Sequence, residues 1–296
     1  LDDAGLTPDT LRQKVIDQCV QDELTVQESE RLKLSPDTES IDEQIEKSKE
    51  NFGSTAEWTR ALYRSGYYSD DSFRRSLEVS DLTDQLKKEV TSDVTPTTDE
   101  VASYISKNAY KYSGKRSSCI LIIGTASMPY EEMVSSAQSI LDDINSGSIS
   151  FEDAAAAYSA DKTSAAGSGD IGWSSLVEMP EDYQSTLEGL SVGKVSGLVS
   201  CSYGIYIIKC TDIFSVPSGT SIDAGNVPSE ICTTLRTKLV EEMQGTLYTQ
   251  YMSSLTSAAD IEVNQMPSGL SYDVDMGIID EMESVSTSMS LSHTET

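Results

Sequence analysis

The sequence predicts an α+β fold, mainly helical, in which a small strand-bearing unit sits between two helical stretches. Apolar residues recur at helical spacing on both flanks. A continuous apolar run, Cys119-Ile120-Leu121-Ile122-Ile123-Gly124, breaks that rhythm and marks a buried strand. The 296 residues suffice for two domains with cores of their own.

In chain order, Thr7-Pro8 caps and starts a helix through Leu11, Val15 and Cys19. Phe52-Gly53 is a stop, and Ser54 with Glu57 forms a capping box for a helix carrying Trp58 and Leu62. Ser69 opens a further helix with Phe73, Leu77, Leu82, Leu86 and Val90 on its apolar positions. Thr97 and Glu100 form a second box before Val101, Tyr104 and Ile105. After the strand at 119–124, Met133, Ala137, Ile140, Leu141 and Ile144 repeat at helical spacing and stop at Asn145-Ser146-Gly147. Ser150 and Asp153 begin a short Ala-rich helix ending near Tyr158. A glycine-rich loop (Gly167, Gly169, Gly172) precedes strands at 197–201 and 205–210. Beyond the linker Pro217-Ser218-Gly219, Ile231, Leu235, Leu239, Met243, Leu247, Tyr251 and Leu255 form one apolar stripe, whose expected groove is the N-terminal helices. Residues 261–263 read as a short strand. The Ser/Thr-rich run 284–296 reads as a disordered tail.

The chain has 21 Lys and Arg against 49 Asp and Glu, a net charge of −28. That excludes a nucleic-acid binder working by phosphate neutralisation, and a polybasic lipid binder. No stretch approaches the ~20 apolar residues of a membrane span. Five cysteines without a CxxC, and a single histidine at His293, argue against a Cys/His metal site or a Cys–His catalytic pair. No cofactor and no metal are expected.

Several fixed-spacing blocks carry a resemblance. They run Ser118-Cys119-Ile120-Leu121-Ile122, Phe151-Glu152-Asp153-Ala154-Ala155, Tyr158-Ser159-Ala160-Asp161 and Gly169-Asp170-Ile171-Gly172-Trp173. Leu190-Ser191-Val192-Gly193-Lys194-Val195-Ser196 and Tyr203-Gly204-Ile205-Tyr206-Ile207-Ile208-Lys209 follow. In that order they resemble the parvulin (rotamase) family of peptidyl-prolyl isomerases. The flanking helices look like those of the PrsA and SurA type of extracytoplasmic foldase. The resemblance implies residues 1–114 as an N-terminal chaperone segment and 115–213 as an inserted parvulin-like domain of antiparallel sheet and surrounding helices. Residues 214–266 would complete the helical domain, and 267–296 form the acidic tail.

Isomerising an Xaa-Pro bond means crossing a barrier of ~18–20 kcal/mol set by amide resonance. This chemistry asks for an apolar slot around the proline ring and polar groups favouring the twisted amide, with neither nucleophile nor metal. By resemblance, Met179 and Tyr183 fall at the proline-slot positions with Ile171 beside them, and Asp161 falls at a polar site position. Cys119 and Tyr206 stand where the family carries its two histidines. The residues alone also allow Met179 and Tyr183 as ordinary core, Asp161 as a capping carboxylate and Cys119 as a small buried hydrophobe in a vestigial site.

Residues 115–212 hold five basic and thirteen acidic side chains, and Thr125-Ala126-Ser127-Met128-Pro129 offers no basic cluster to a phosphate. Selectivity for phosphorylated substrates is not expected. The implied function is folding of exported proteins with isomerisation of Xaa-Pro bonds. The alternatives are a holdase with a degenerate isomerase domain, and a structural surface protein. The implied partners are unfolded or partly folded exported chains, without nucleic acid; any membrane link is expected through a lipid anchor upstream of Leu1.

Overall fold

The computed structural model describes residues 8–124 and 129–264. Among these the order is α1 (Pro8–Arg31), α2 (Thr38–Glu50), α3 (Thr55–Arg64), α4 (Asp70–Val90), α5 (Thr98–Asn108), β1 (Gly114–Ile122), α6 (Tyr130–Ser146), α7 (Phe151–Tyr158), α8 (Lys162–Ala165), β2 (Asp170–Trp173), α9 (Glu181–Gly189), β3 (Val199–Cys201), β4 (Gly204–Phe214) and α10 (Ser229–Ala258). The fold is α+β: helices predominate, and a single antiparallel sheet has the order β2-β1-β4-β3. The expected tail at 284–296 and the stretch Thr125-Ala126-Ser127-Met128 lie outside the described residues. No described helix is long and apolar enough to cross a membrane.

Packing divides the chain into two units. One runs to Leu82 and resumes at Met252; the other is Thr83–Tyr251. The first is helical. Ile41 and Ile45 on α2, and Trp58 and Leu62 on α3, are buried pairs at i,i+4, the spacing that stacks two side chains on one helix face. Trp58 lies edge-on to Phe73 at 5.7 Å and tilted to Phe52 at 5.5 Å, and its Nε1 donates to Asp70 Oδ1 at 2.7 Å. Ser54 caps α3 by accepting from the Glu57 amide, but the Glu57 carboxylate accepts from Gly53 N, so the expected box closes one residue early. The Thr97–Glu100 box of α5, in the other unit, closes in both directions.

In the second unit β1 and β4 are the central strands, paired from Gly114↔Phe214 to Ile122↔Ile205. Side chains alternate across a strand, so the sheet has two faces. Ile120, Ile122, Ile205 and Ile207 pack with Ala137, Ile140 and Leu141 of α6 and with Phe151, Ala154 and Ala155 of α7. Cys119, Tyr206, Ile208 and Cys210 face the other way, against Tyr183 and Leu187 of α9. Burying each such large side chain stabilises by ~1.5–3 kcal/mol.

Several expectations are corrected. The first strand begins at Gly114, five residues before the apolar run, because its polar start is partnered. Arg116 makes two bonds to Asp170, at 3.1 and 2.6 Å, and a third to Glu230 on α10. The glycine-rich stretch is not all loop: Asp170–Trp173 is strand β2, its register shifted by a bulge at Ser117/Ser118. The last strand runs on to Phe214. Residues 261–263 form no strand.

The long helix meets expectation in part. Ile231, Leu235 and Leu239 pack with Val101 and Ile105 of α5 and with Trp173, Phe214 and Val216, while Leu247 is exposed. The first turns of the stripe therefore pack on α5, the last of the N-terminal helices, and also cover the end of the sheet.

Candidate functional site on the α9 face of the sheet

The α9 face of the sheet gathers the polar groups. Ser117, Cys119 and Leu121 alternate down β1; Tyr206 on β4 pairs with Leu121 and with Val199 of β3. Helix α9 is held over them. Pro180 is its N-cap, Glu181 and Asp182 fill its first turn, and Lys115 Nζ donates to the Glu188 and Leu190 carbonyls at its end. It buries Tyr183, whose ring stands edge-on to Tyr206 at 5.3 Å between centroids.

A second backbone approach brings in α8. Gly169, at φ +82°, accepts from the Cys119 amide at 2.8 Å, and a Cβ there would fall 2.6 Å from the Cys119 carbonyl oxygen. Only glycine fits both demands. This close contact sets α8 beside Cys119. Asp161 is the N-cap of α8: it accepts from the Thr163 and Ser164 amides, and Ser164 Oγ donates to its Oδ2 at 2.6 Å.

Cys119 sits among these groups, fully buried. The Tyr183 hydroxyl lies 2.8 Å from Ser117 Oγ. Burial, with the Asp161 charge adding, pushes the Cys119 thiol up to about 12. Burial likewise pushes Tyr206 up to about 12 and raises Tyr183. The Ser164 hydroxyl holds the Asp161 carboxyl below its ordinary value. At neutral pH the cluster is thus one carboxylate surrounded by neutral O–H and S–H groups. A protonated, buried Cys119 is not a nucleophile, because the thiolate is the reactive form. What the arrangement offers is fixed polar groups beside partly exposed apolar ones, Ile171 and Met179.

The structure therefore brings Cys119, Tyr183, Tyr206, Ile171 and Met179 into one cluster, with Asp161 outside it but near enough for its charge to act on the Cys119 thiol. Tyr183 is 1% exposed with its hydroxyl turned to Ser117, so it lies beneath the partly exposed Ile171 and Met179. Sequence reasoning missed Ser117 and Ser164. The period-2 alternation with Cys119 could have found the first, and the i,i+3 spacing from the capping Asp161 the second.

Residues 123–212 match the rotamase family, described as the PPIC-type PPIase domain. That stretch is thus similar to a parvulin-type isomerase domain, in a chain similar to the PrsA and SurA foldases. Asp161, Ile171, Met179, Tyr183 and Tyr206 fall inside the matched stretch, and Cys119 lies just before it. Among individual relatives, the chain is 25% identical over 212 residues to the chaperone SurA of Alkalilimnicola ehrlichii, covering 69% of this chain and 48% of that one. It is 26% identical over 187 residues to the foldase protein PrsA of Staphylococcus aureus, covering 61% and 54%. Against the crystal structure of PrsA from Bacillus subtilis the identity is 22%, the TM-score 0.39, and the coverage 90% and 88%. The chain spans about half the length of the curated relatives it matches.

Proposed function

We propose that this protein is an extracytoplasmic folding factor that binds unfolded exported chains and isomerises their Xaa-Pro bonds on the α9 face of the sheet. The observation that carries it is one cluster in which the partly exposed Ile171 and Met179 adjoin Tyr206, Tyr183 and Cys119, with the Asp161 charge acting on the Cys119 thiol. Ile171, Met179 and the Tyr183 ring form the proline slot. Asp161, Cys119 and Tyr206 supply the polar surroundings that favour the twisted amide.

The helical unit, closing residues up to Leu82 with those from Met252 onward, supports an insertion architecture in which the helices hold the client. The deficit of basic residues around the site supports substrates without phosphate. Membrane attachment would come through an upstream lipid anchor, and no cofactor, metal or nucleic acid enters the reading.

A second reading has its own support. Cys119 is completely buried and a thiol is a weak hydrogen-bonding group, which favours a holdase whose isomerase domain is degenerate. A protease-coupled or stopped-flow isomerisation assay on a short Xaa-Pro peptide decides between them. Exchange faster than the uncatalysed ~10–100 s establishes the isomerase. A rate equal to background from folded protein, alongside suppressed aggregation of an unfolded client, establishes the holdase.

A further inference from the structure

We propose that Lys115 is a positioning residue for the proline slot: from β1 it fixes the C-terminal end of α9, and through α9 the place of Met179 and Tyr183 beside Cys119. The positioning half of this inference rests on the isomerase reading above; the grip itself does not.

The last carbonyls of a helix have no partner within it, and α9 carries no basic residue in its own last turn. The Leu190 amide serves one of them, donating to the Leu187 carbonyl at 3.0 Å. The strand supplies the rest: Lys115 Nζ donates to the Glu188 carbonyl at 2.5 Å and to the Leu190 carbonyl at 2.6 Å. A cation there also meets the negative end of the helix dipole. The root of that side chain is itself held. The Lys115 amide donates to Ser174 Oγ at 3.0 Å, and its carbonyl accepts from the Ser174 amide at 2.9 Å.

The grip has a register. Lys115, Ser117 and Cys119 alternate onto one face of β1. Ser117 Oγ lies 2.8 Å from the Tyr183 hydroxyl, so β1 holds α9 a second time, nearer the helix start. Two residues of strand span about 7 Å, and the five steps from Tyr183 to Glu188 rise about 7.5 Å along a helix. The two elements therefore match at both points, and sliding or turning α9 breaks one of them. At the front of the helix Gln184 Nε2 donates to the Met179 carbonyl at 2.6 Å, which ties Met179 to α9 across Pro180. Tyr183 is thus the pivot of a short lever. Lys115 holds one arm, and Met179 rides on the other, beside Cys119 on the gripping strand.

Lys115→Met in the full chain keeps the stem and deletes the ammonium, whereas Lys115→Arg keeps a cation. Two measurements decide the matter: amide hydrogen exchange over residues 184–190, and kcat and KM on a short Xaa-Pro peptide. Lys115→Met should speed exchange in α9 about fivefold, the worth of a cation at a helix end, and leave α6 and α7 unchanged. It should raise KM about fivefold with kcat within twofold, because a slot that holds the ring equally in ground and transition states contributes uniform binding. Lys115→Arg should keep both near the parent. If Lys115→Met does not fold, the same readings are taken on Lys115→Gln, whose neutral amide is too short to reach both carbonyls. Unchanged α9 exchange in the folded variant overturns the grip. Faster exchange in α9 with unchanged KM overturns the positioning role, as does exchange that quickens equally in α6 and α7. A parent protein without isomerase activity overturns the isomerase reading and the positioning role with it, while exchange still decides whether the grip exists.

Discussion

Cys119 is where position and chemistry pull apart. The strand demands a small apolar residue there, and the neighbours make it a member of a polar cluster. Its raised thiol and the raised Tyr206 have a consequence for stability. A group whose folded value lies above its unfolded one favours the fold below the unfolded value and loses that contribution as pH rises toward the folded value. The melting temperature should therefore hold through mildly alkaline pH and fall from about pH 9 toward 12, as the unfolded thiol and phenol ionise first. Cys119→Ala should blunt the early part of that fall; an identical alkaline profile in the variant would remove Cys119 as its source.

Asp161 carries two duties that substitutions can separate. Asp161→Ala loses the cap of α8, costing about 1 kcal/mol in a melt. It should also lower the proposed isomerase activity more than tenfold, the scale of one positioned polar group. Asp161→Asn keeps the cap and loses the charge, so stability should stay near the parent while activity falls. Equal activity in Asn and parent would show that only the cap matters. Its depressed carboxyl works in the opposite sense to Cys119: its contribution is present above the ordinary carboxylate range and is lost as pH falls through the folded value.

At the scale of elements, the loop before β2 is set by two backbone requirements. Gly169→Ala adds a Cβ 2.6 Å from the Cys119 carbonyl at a positive φ, so it should destabilise by at least about 1–2 kcal/mol and displace α8 from Cys119. Ser168 holds φ +61° without being glycine, and Ser168→Gly should raise stability by up to about 1 kcal/mol. Thermal melts of the two variants check both signs.

The helices and the central strands were legible because their signals are local: i,i+4 apolar pairs, caps, and the run 119–124. Strand β2 was not, because Gly169 and Gly172 break the alternation and its partner is found only across the sheet. The polar start of β1 was hidden for a similar reason, since Arg116 and Ser117 are satisfied by Asp170, Glu230 and Tyr183, all distant in sequence. In the candidate site, Cys119 and Tyr206 stood out in the sequence because the resemblance puts histidines there. Ser117 and Ser164 carry no such mark, and their roles exist only through α9 and α8.

At the scale of the molecule, the start of α10 is part of the sheet unit's core. Val227, Ile231 and Leu235 cover Trp173 and Phe214, so an excised 115–213 fragment loses Phe214 and exposes Trp173. At ~1.5–3 kcal/mol for each buried side chain, that fragment should melt well below a fragment spanning 83–251. Equal melting temperatures would show that α10 merely rests on the sheet.

The sheet's strand order also governs when the site can come into being. Its two middle strands, β1 and β4, are separated in sequence by on the order of 90 residues, and their pairing must close that whole loop before any contact rewards it. Cys119 meets Tyr206 only through this pairing. A chain emerging from its N-terminus therefore carries an unformed site until about residue 214 is free, and the α10 turns that seal Trp173 arrive later still. Formation of the site should lag synthesis of most of the polypeptide, and the slowest folding step should be the joining of the two middle strands.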